Sequence, residues 1–133
     1  MDIELTEIQV RVLGALIEKS FTTPEYYPLS INALTNACNQ KSSREPIMSL
    51  TESEVQSALD YLKSKHFLWR LISGTSRVPK YEHNIKAKYE LNDSQTAVMG
   101  VLMLRGPQTV GEIRTRTSRM YDFENIAEVE KVL

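Results

Sequence analysis

Two stretches of this chain follow the same pattern, and that duplication limits its architecture more than any other feature. Leu5-Thr6-Glu7-Ile8-Gln9-Val10-Arg11-Val12-Leu13-Gly14-Ala15-Leu16 lines up with Leu91-Asn92-Asp93-Ser94-Gln95-Thr96-Ala97-Val98-Met99-Gly100-Val101-Leu102. Leu, Gln, Val, Gly and Leu recur at the same relative places, 86 residues apart. A repeat at a fixed offset points to one structural unit used twice. Thr6 and Asn92 are good N-caps, because a short side-chain oxygen accepts from an unpaired N–H of the first turn. Gln9 and Gln95 stand three residues later, where an amide reaches back to complete a capping box. Ile8, Val12, Ala15 and Leu16 fall on one helical face, and Val98, Val101 and Leu102 repeat it. Gly14 and Gly100 sit mid-helix, where Gly costs about 1 kcal/mol against Ala. Their recurrence predicts a close helix–helix approach.

The match continues along the chain. Ser30-Ile31-Asn32-Ala33-Leu34 and Thr109-Val110-Gly111-Glu112-Ile113 each read as a cap followed by a short amphipathic helix. Thr51-Glu52-Ser53-Glu54-Val55 and Asn125-Ile126-Ala127-Glu128-Val129 each open as a capping box. Here the offset has fallen to 74, so the second copy has shorter connections. After the third helix the first copy runs on through Phe67-Leu68-Trp69-Arg70-Leu71-Ile72, a β-prone stretch. Ser73-Gly74-Thr75-Ser76 reads as a turn. Arg77 to His83 returns as an edge strand, with Pro79 where no donor is needed. Three helices and then a hairpin is the winged-helix order. The expected fold is mainly α with a small β-hairpin, two winged-helix modules of the helix-turn-helix type in tandem. Residues 1–88 form the first, and residues 89–133 the second, truncated to helices only.

Composition narrows the function. The chain has 133 residues, 41% hydrophobic and 25% charged, with 16 Lys+Arg against 17 Asp+Glu. A net charge of −1 does not suit a non-specific nucleic-acid coat, so any such role rests on a local patch. Cys38 is the single cysteine, which excludes an intramolecular disulfide and a Cys-rich zinc site. Asp2, Glu4 and Glu7 stand where a secretory signal carries Lys or Arg. The longest apolar stretch, Ala97 to Leu104, is far short of the about 20 residues a membrane span takes. A soluble, cytoplasmic protein is expected, with no membrane partner.

The sequence resembles the YceH-like family of uncharacterised bacterial proteins. Leu16-Ile17-Glu18-Lys19, Thr22-Thr23-Pro24, Tyr27-Pro28-Leu29-Ser30 and Ala37-Cys38-Asn39-Gln40-Lys41-Ser42 carry the resemblance most specifically. Lys80-Tyr81-Glu82-His83 and Arg105-Gly106-Pro107-Gln108-Thr109 extend it. The resemblance implies a tandem winged-helix fold and a chain that continues past Leu133. It implies no activity and supplies no catalytic residues.

Four features are candidates for function. Asn39-Gln40-Lys41-Ser42-Ser43-Arg44 is a polar loop whose Lys41, Ser42 and Arg44 are phosphate-contacting groups; a solvated loop is the alternative. The third helix exposes Glu52, Gln56, Asp60 and Lys63, an acidic face that speaks against major-groove reading. Arg70, Arg77 and Lys80 surround the hairpin turn, fit to grip a DNA backbone or merely to keep an edge strand soluble. Arg114 and Arg116 belong to the most basic segment, residues 105–119, which binds nucleic acid or an acidic protein or else pairs with Glu124, Glu128 and Glu130. Neither His66 nor His83 has a second ligand at helical spacing, and no catalytic set or phosphate loop stands out. No metal, no cofactor and no enzymatic activity are expected. Two readings stay open. One is a transcription-regulator-like protein that binds double-stranded DNA. The other is a protein-interaction module that contacts another protein or a second copy as a homodimer, without nucleic acid.

Overall fold

The computed structural model describes residues 4–72 and 77–133. The chain starts in α1 (Glu7–Thr22), capped by Thr6, whose hydroxyl accepts from Gln9 N–H while Gln9 closes the box. A short 3-10 turn and the two-residue β1 (Leu29–Ser30) lead into α2 (Ile31–Cys38), capped by Ser30. A long loop precedes α3 (Glu52–Ser64), which opens with the Thr51–Glu54 capping box. β2 (Leu68–Leu71) and β3 (Lys80–His83) form the expected hairpin. α4 (Ile85–Tyr89) then links to α5 (Asp93–Arg105), α6 (Val110–Thr117) and α7 (Ile126–Val132). The protein is thus mainly helical with one small antiparallel sheet. The expected turn at residues 73–76 lies outside the described residues.

Three details depart from the sequence reading. β1 adds a third strand beside β3, giving the order β1-β3-β2; Leu29 faces Tyr81 in register. Two residues carry no periodicity, which is why it was not legible. Asn125 caps α7, but Glu128 turns its carboxylate to Glu124 N–H rather than to the cap, so the second box is only half formed. Thr109 and Glu112 instead complete a full box at α6.

α1 is buried all round, from Arg11 continuously to Glu18. Its first face packs on α2, α3 and the sheet through Val12, Leu16, Leu34, Val55, Leu59, Leu62 and Leu68. A helix enclosed on every side must be apolar, or internally paired, on every side. α5 covers a second face. Gly14 lets Met103 and Leu104 of α5 approach, and Gly100 lets Ile17 of α1 approach. The repeated glycines therefore face each other's helix, as their recurrence predicted. A second, smaller core of Val98, Ile113, Phe123 and Val129 joins α5, α6 and α7. α5 serves both cores, with Leu104 in the first and Val98 in the second.

Candidate functional site: a buried carboxylate and the surfaces it organises

The third face of α1 is covered by the loop of residues 39–50, and polar contacts hold it there. Glu18, 1% exposed, receives both arms of Arg44: Nη1 to Oε2 at 2.9 Å and Nη2 to Oε1 at 2.8 Å. Arg44 also donates Nε and Nη2 to the Ala37 carbonyl, at 3.1 and 3.0 Å. Arg119, in the connection after α6, adds a bond to Glu18 Oε2 at 3.1 Å, and Lys19 lies 3.3 Å from Oε1. One carboxylate thus ties α1, the loop and the C-terminal helices together. Burial alone would raise the Glu18 pKa. The Arg44 bonds, with Arg44, Lys19 and Arg119 charges behind them, more than offset this and hold it below the ordinary 4.5.

Arg11 secures the same loop, donating Nη1 to the Cys38 carbonyl at 3.0 Å and Nη2 to the Pro46 carbonyl. Its Nε is buried without a partner. Asn39 closes the loop's base by exchanging two bonds with the Leu50 backbone, at 2.9 and 2.7 Å. Glu45 N–H reaches the Leu104 carbonyl at 2.9 Å and fastens the loop to the end of α5. Cys38 is enclosed, and burial pushes its thiol up to about 12, so no reactive thiolate forms there.

This arrangement corrects the surface role read for Arg44. A side chain 0% exposed and bonded to a carboxylate cannot reach an external phosphate. Lys41 and Ser42, by contrast, remain exposed on the loop. Arg70 and Lys80 are exposed on neighbouring strands, and Arg77 is exposed before β3. Arg114 donates to the carbonyls of Phe123 and Glu124 and so closes the α6–α7 connection. Arg116 pairs with Glu112 at 3.2 Å and with Gln108 Oε1 at 3.1 Å. Arg70 and Lys80 lie on neighbouring strands but on opposite faces of the sheet, and the loop and α6 residues lie on other elements. Glu18 and Arg11 were not singled out by the sequence, and Arg105 and Arg119 stood out only as part of the basic segment 105–119. Their only local signal is that Arg11 and Glu18 share one face of α1 at a spacing of seven, inside an otherwise apolar run.

The hairpin holds a second surface that charge-based reading missed. Trp69 and Leu71 point to the side of the sheet away from Leu68 and Tyr81, and they are 42% and 39% exposed. Ile72 (59%) and Val78 (52%) extend this apolar strip. β2 is an edge strand. The Phe67 carbonyl accepts from Asn84 N–H at 2.7 Å, so Phe67, Trp69 and Leu71 direct their backbone groups to β3. By the same alternation, Leu68 and Arg70 direct theirs to the open edge.

A Ser–His contact lies behind the sheet and is not a nucleophilic pair. His83 Nδ1 accepts from Ile85 N–H at 3.2 Å, which leaves the neutral ring's proton on Nε2. That proton faces Ser20 Oγ at 3.4 Å, while the Ser20 hydroxyl donates to the Ile17 carbonyl at 2.6 Å. A base would need Nε2 free. Burial first, and then Lys86, pushes the His83 pKa down to about 4 from 6.5. The unfolded chain therefore takes up the proton first. Stability is full above pH 6.5 and declines as pH falls towards 4. His83→Gln is expected to flatten urea midpoints across that window, leaving only the steeper Glu18-dependent loss below pH 4.5. An unchanged slope in the variant would refute the assignment.

Among the described residues no three His, Cys, Asp or Glu side chains gather as metal ligands, and no helix is long and apolar enough to cross a membrane. Fold and site together define a small, mainly helical protein with one antiparallel sheet and a buried Glu18–Arg44 pair at its polar centre. The chain belongs to the family described as protein of unknown function DUF480, matched over residues 5–133. This is the family to which its sequence showed resemblance. It is similar to the UPF0502 protein of Geotalea daltonii, 58% identical over all of this chain and 61% of that relative. The corresponding figures are 52% and 60% for UPF0502 protein GSU0233 of Geobacter sulfurreducens, and 51% and 64% for the UPF0502 protein of Serratia proteamaculans. The chain thus spans about three-fifths of the length of these curated relatives.

Proposed function

We propose that this chain is a tandem winged-helix docking module of a cytoplasmic, non-enzymatic protein, and that the open edge of β2 takes an extended, acidic segment of a partner protein. The order α1-α2-α3 with a hairpin, followed by α5-α6-α7 with matching caps, supports the tandem reading. The observation that carries the docking reading is the edge strand itself, with apolar side chains at Trp69 and Leu71 and unpaired backbone at Leu68 and Arg70. Strand addition uses these two features, backbone bonds for affinity and alternate side chains for specificity. Lys80, directly opposite Leu71 on the face of the strip, and the exposed Arg70 and Arg77 favour an acidic partner strand. The usual DNA-reading helix argues the same way, since α3 exposes Glu52, Glu54 and Asp60.

Double-stranded DNA is the second reading. Arg70, Arg77 and Lys80 have no ion-pair partner among the described residues, as a wing that grips phosphates requires. Trp69 is the chain's single tryptophan, so its fluorescence reports on the wing directly. A synthetic strand alternating Glu with Val should blue-shift Trp69 emission, and R70E/R77E should abolish the shift. A Lys/Val strand should leave emission unchanged. If short duplex DNA quenches Trp69 with a steep salt dependence while the acidic strand does nothing, the docking reading fails and the DNA reading stands.

A further inference from the structure

A separate cluster of arginines gathers where the loop meets the C-terminal helices, away from the wing. Arg105 ends α5, Arg116 lies on α6 and Arg119 follows it. The Glu45–Leu104 backbone bond sets the loop against Arg105, and Gln108 bridges Arg116 to the Gly106 carbonyl at 3.0 Å. Arg119 Nη2 is 3.2 Å from Ser43 Oγ, and Arg44 lies buried beneath. The carboxylates here are committed: Glu18 is held by Arg44 and Arg119, and Glu112 by Arg116. Arg105 has neither a hydrogen bond nor an ion pair to any described side chain. Burial of part of its guanidinium, and then Arg116, Arg119 and Arg44, all oppose its charge, while Glu18 and Glu112 favour it. Four guanidiniums set against two carboxylates leave an excess of positive charge, which costs stability unless an anion sits among them.

We propose that Arg105, Arg116 and Arg119, with Ser43 Oγ, form a binding site for a phosphate group. Three forked donors from two elements match a dianion with three free oxygens, whereas a carboxylate would fill only one fork. Lys41 and Ser42 stand exposed on the same loop as Ser43 and add a cation and a hydroxyl nearby. The group belongs either to a free phosphate compound or to a nucleic-acid backbone.

The test is thermal unfolding and calorimetric titration with inorganic phosphate and pyrophosphate, at fixed ionic strength, with chloride as control. Wild type should gain melting temperature saturably with phosphate. R105Q should melt higher than wild type in phosphate-free buffer, because a like-charge contact is gone, and should bind phosphate about tenfold more weakly or worse. K65Q, at the exposed end of α3, should match wild type. A short duplex that competes with phosphate, and loses affinity in R105Q, assigns the group to nucleic acid; a duplex that does not compete assigns it to a small molecule. Equal phosphate responses in wild type and R105Q, or a response that chloride reproduces, overturn the site.

Discussion

Replacing Glu18 by glutamine is expected to cost about 3–5 kcal/mol of folding stability, the usual penalty for stranding a buried partner. An amide offers one acceptor oxygen where Arg44 now uses two, and it carries no charge against a guanidinium that is 0% exposed. The loop of residues 39–50 then loses its anchor, because the Ala37 and Ser43 carbonyls alone do not neutralise Arg44. R119A should cost far less, under about 1 kcal/mol, since Arg119 is half exposed and its ion pair is screened by water. Urea titrations followed by circular dichroism read both values. A double change, E18L with R44M, should recover much of the loss, because two apolar groups leave no stranded charge. If E18Q costs less than about 1 kcal/mol, the bidentate pair is not what holds the loop.

Acid should produce the same result without mutation. The folded Glu18 pKa lies below 4.5, so its contribution is complete above that value and is lost as pH falls through the lowered one. The His83 effect precedes it, between pH 6.5 and 4. Two successive losses should therefore be resolved in wild type, the first absent from H83Q and the second from the E18L/R44M pair.

Local chemistry was legible in the sequence, and long-range polar pairing was not. The caps at Thr6, Ser30, Thr51, Asn92 and Thr109 depend on residues three apart, and each forms as read. The glycines at positions 14 and 100 were legible because a costly residue recurred. The hairpin was legible from its β-prone run, but attention to Arg70 and Arg77 passed over the exposed Trp69 and Leu71 beside them. Arg44 was misplaced for a different reason. Its partner Glu18 is 26 residues away, and an arginine after two serines looks like solvent-facing loop until the fold brings a carboxylate beneath it. Arg105 was likewise invisible as an unmatched charge, because what matters is which acids the fold assigns to its neighbours.

The second large effect is one of sign. Gly100→Ala and Gly111→Ala make the same change in a helix, and alanine is intrinsically better there by about 1 kcal/mol. At Gly111 an added Cβ meets nothing within 4 Å, so the variant should gain up to about that amount. At Gly100 it would stand 2.7 Å from Ile17 Cγ2, a methyl fixed to the branched carbon of a fully buried side chain. Ile17 cannot swing clear, so α5 must move off α1, and overpacking of this kind costs about 1–3 kcal/mol. G14A meets Met103 Cβ at 2.9 Å and should behave alike. I17A removes the obstructing methyl, so adding G100A to it should cost less than G100A costs in wild type; additivity of the two would refute the contact. The displacement matters beyond stability, because α5 carries Arg105 and leads on to Arg119. In G100A the Arg119–Glu18 bond should weaken, making R119A nearly silent there. The glycines that let the two helices touch thus also set the spacing of the arginine cluster, and a spacer one methyl thick should reduce phosphate affinity without changing any residue of that site.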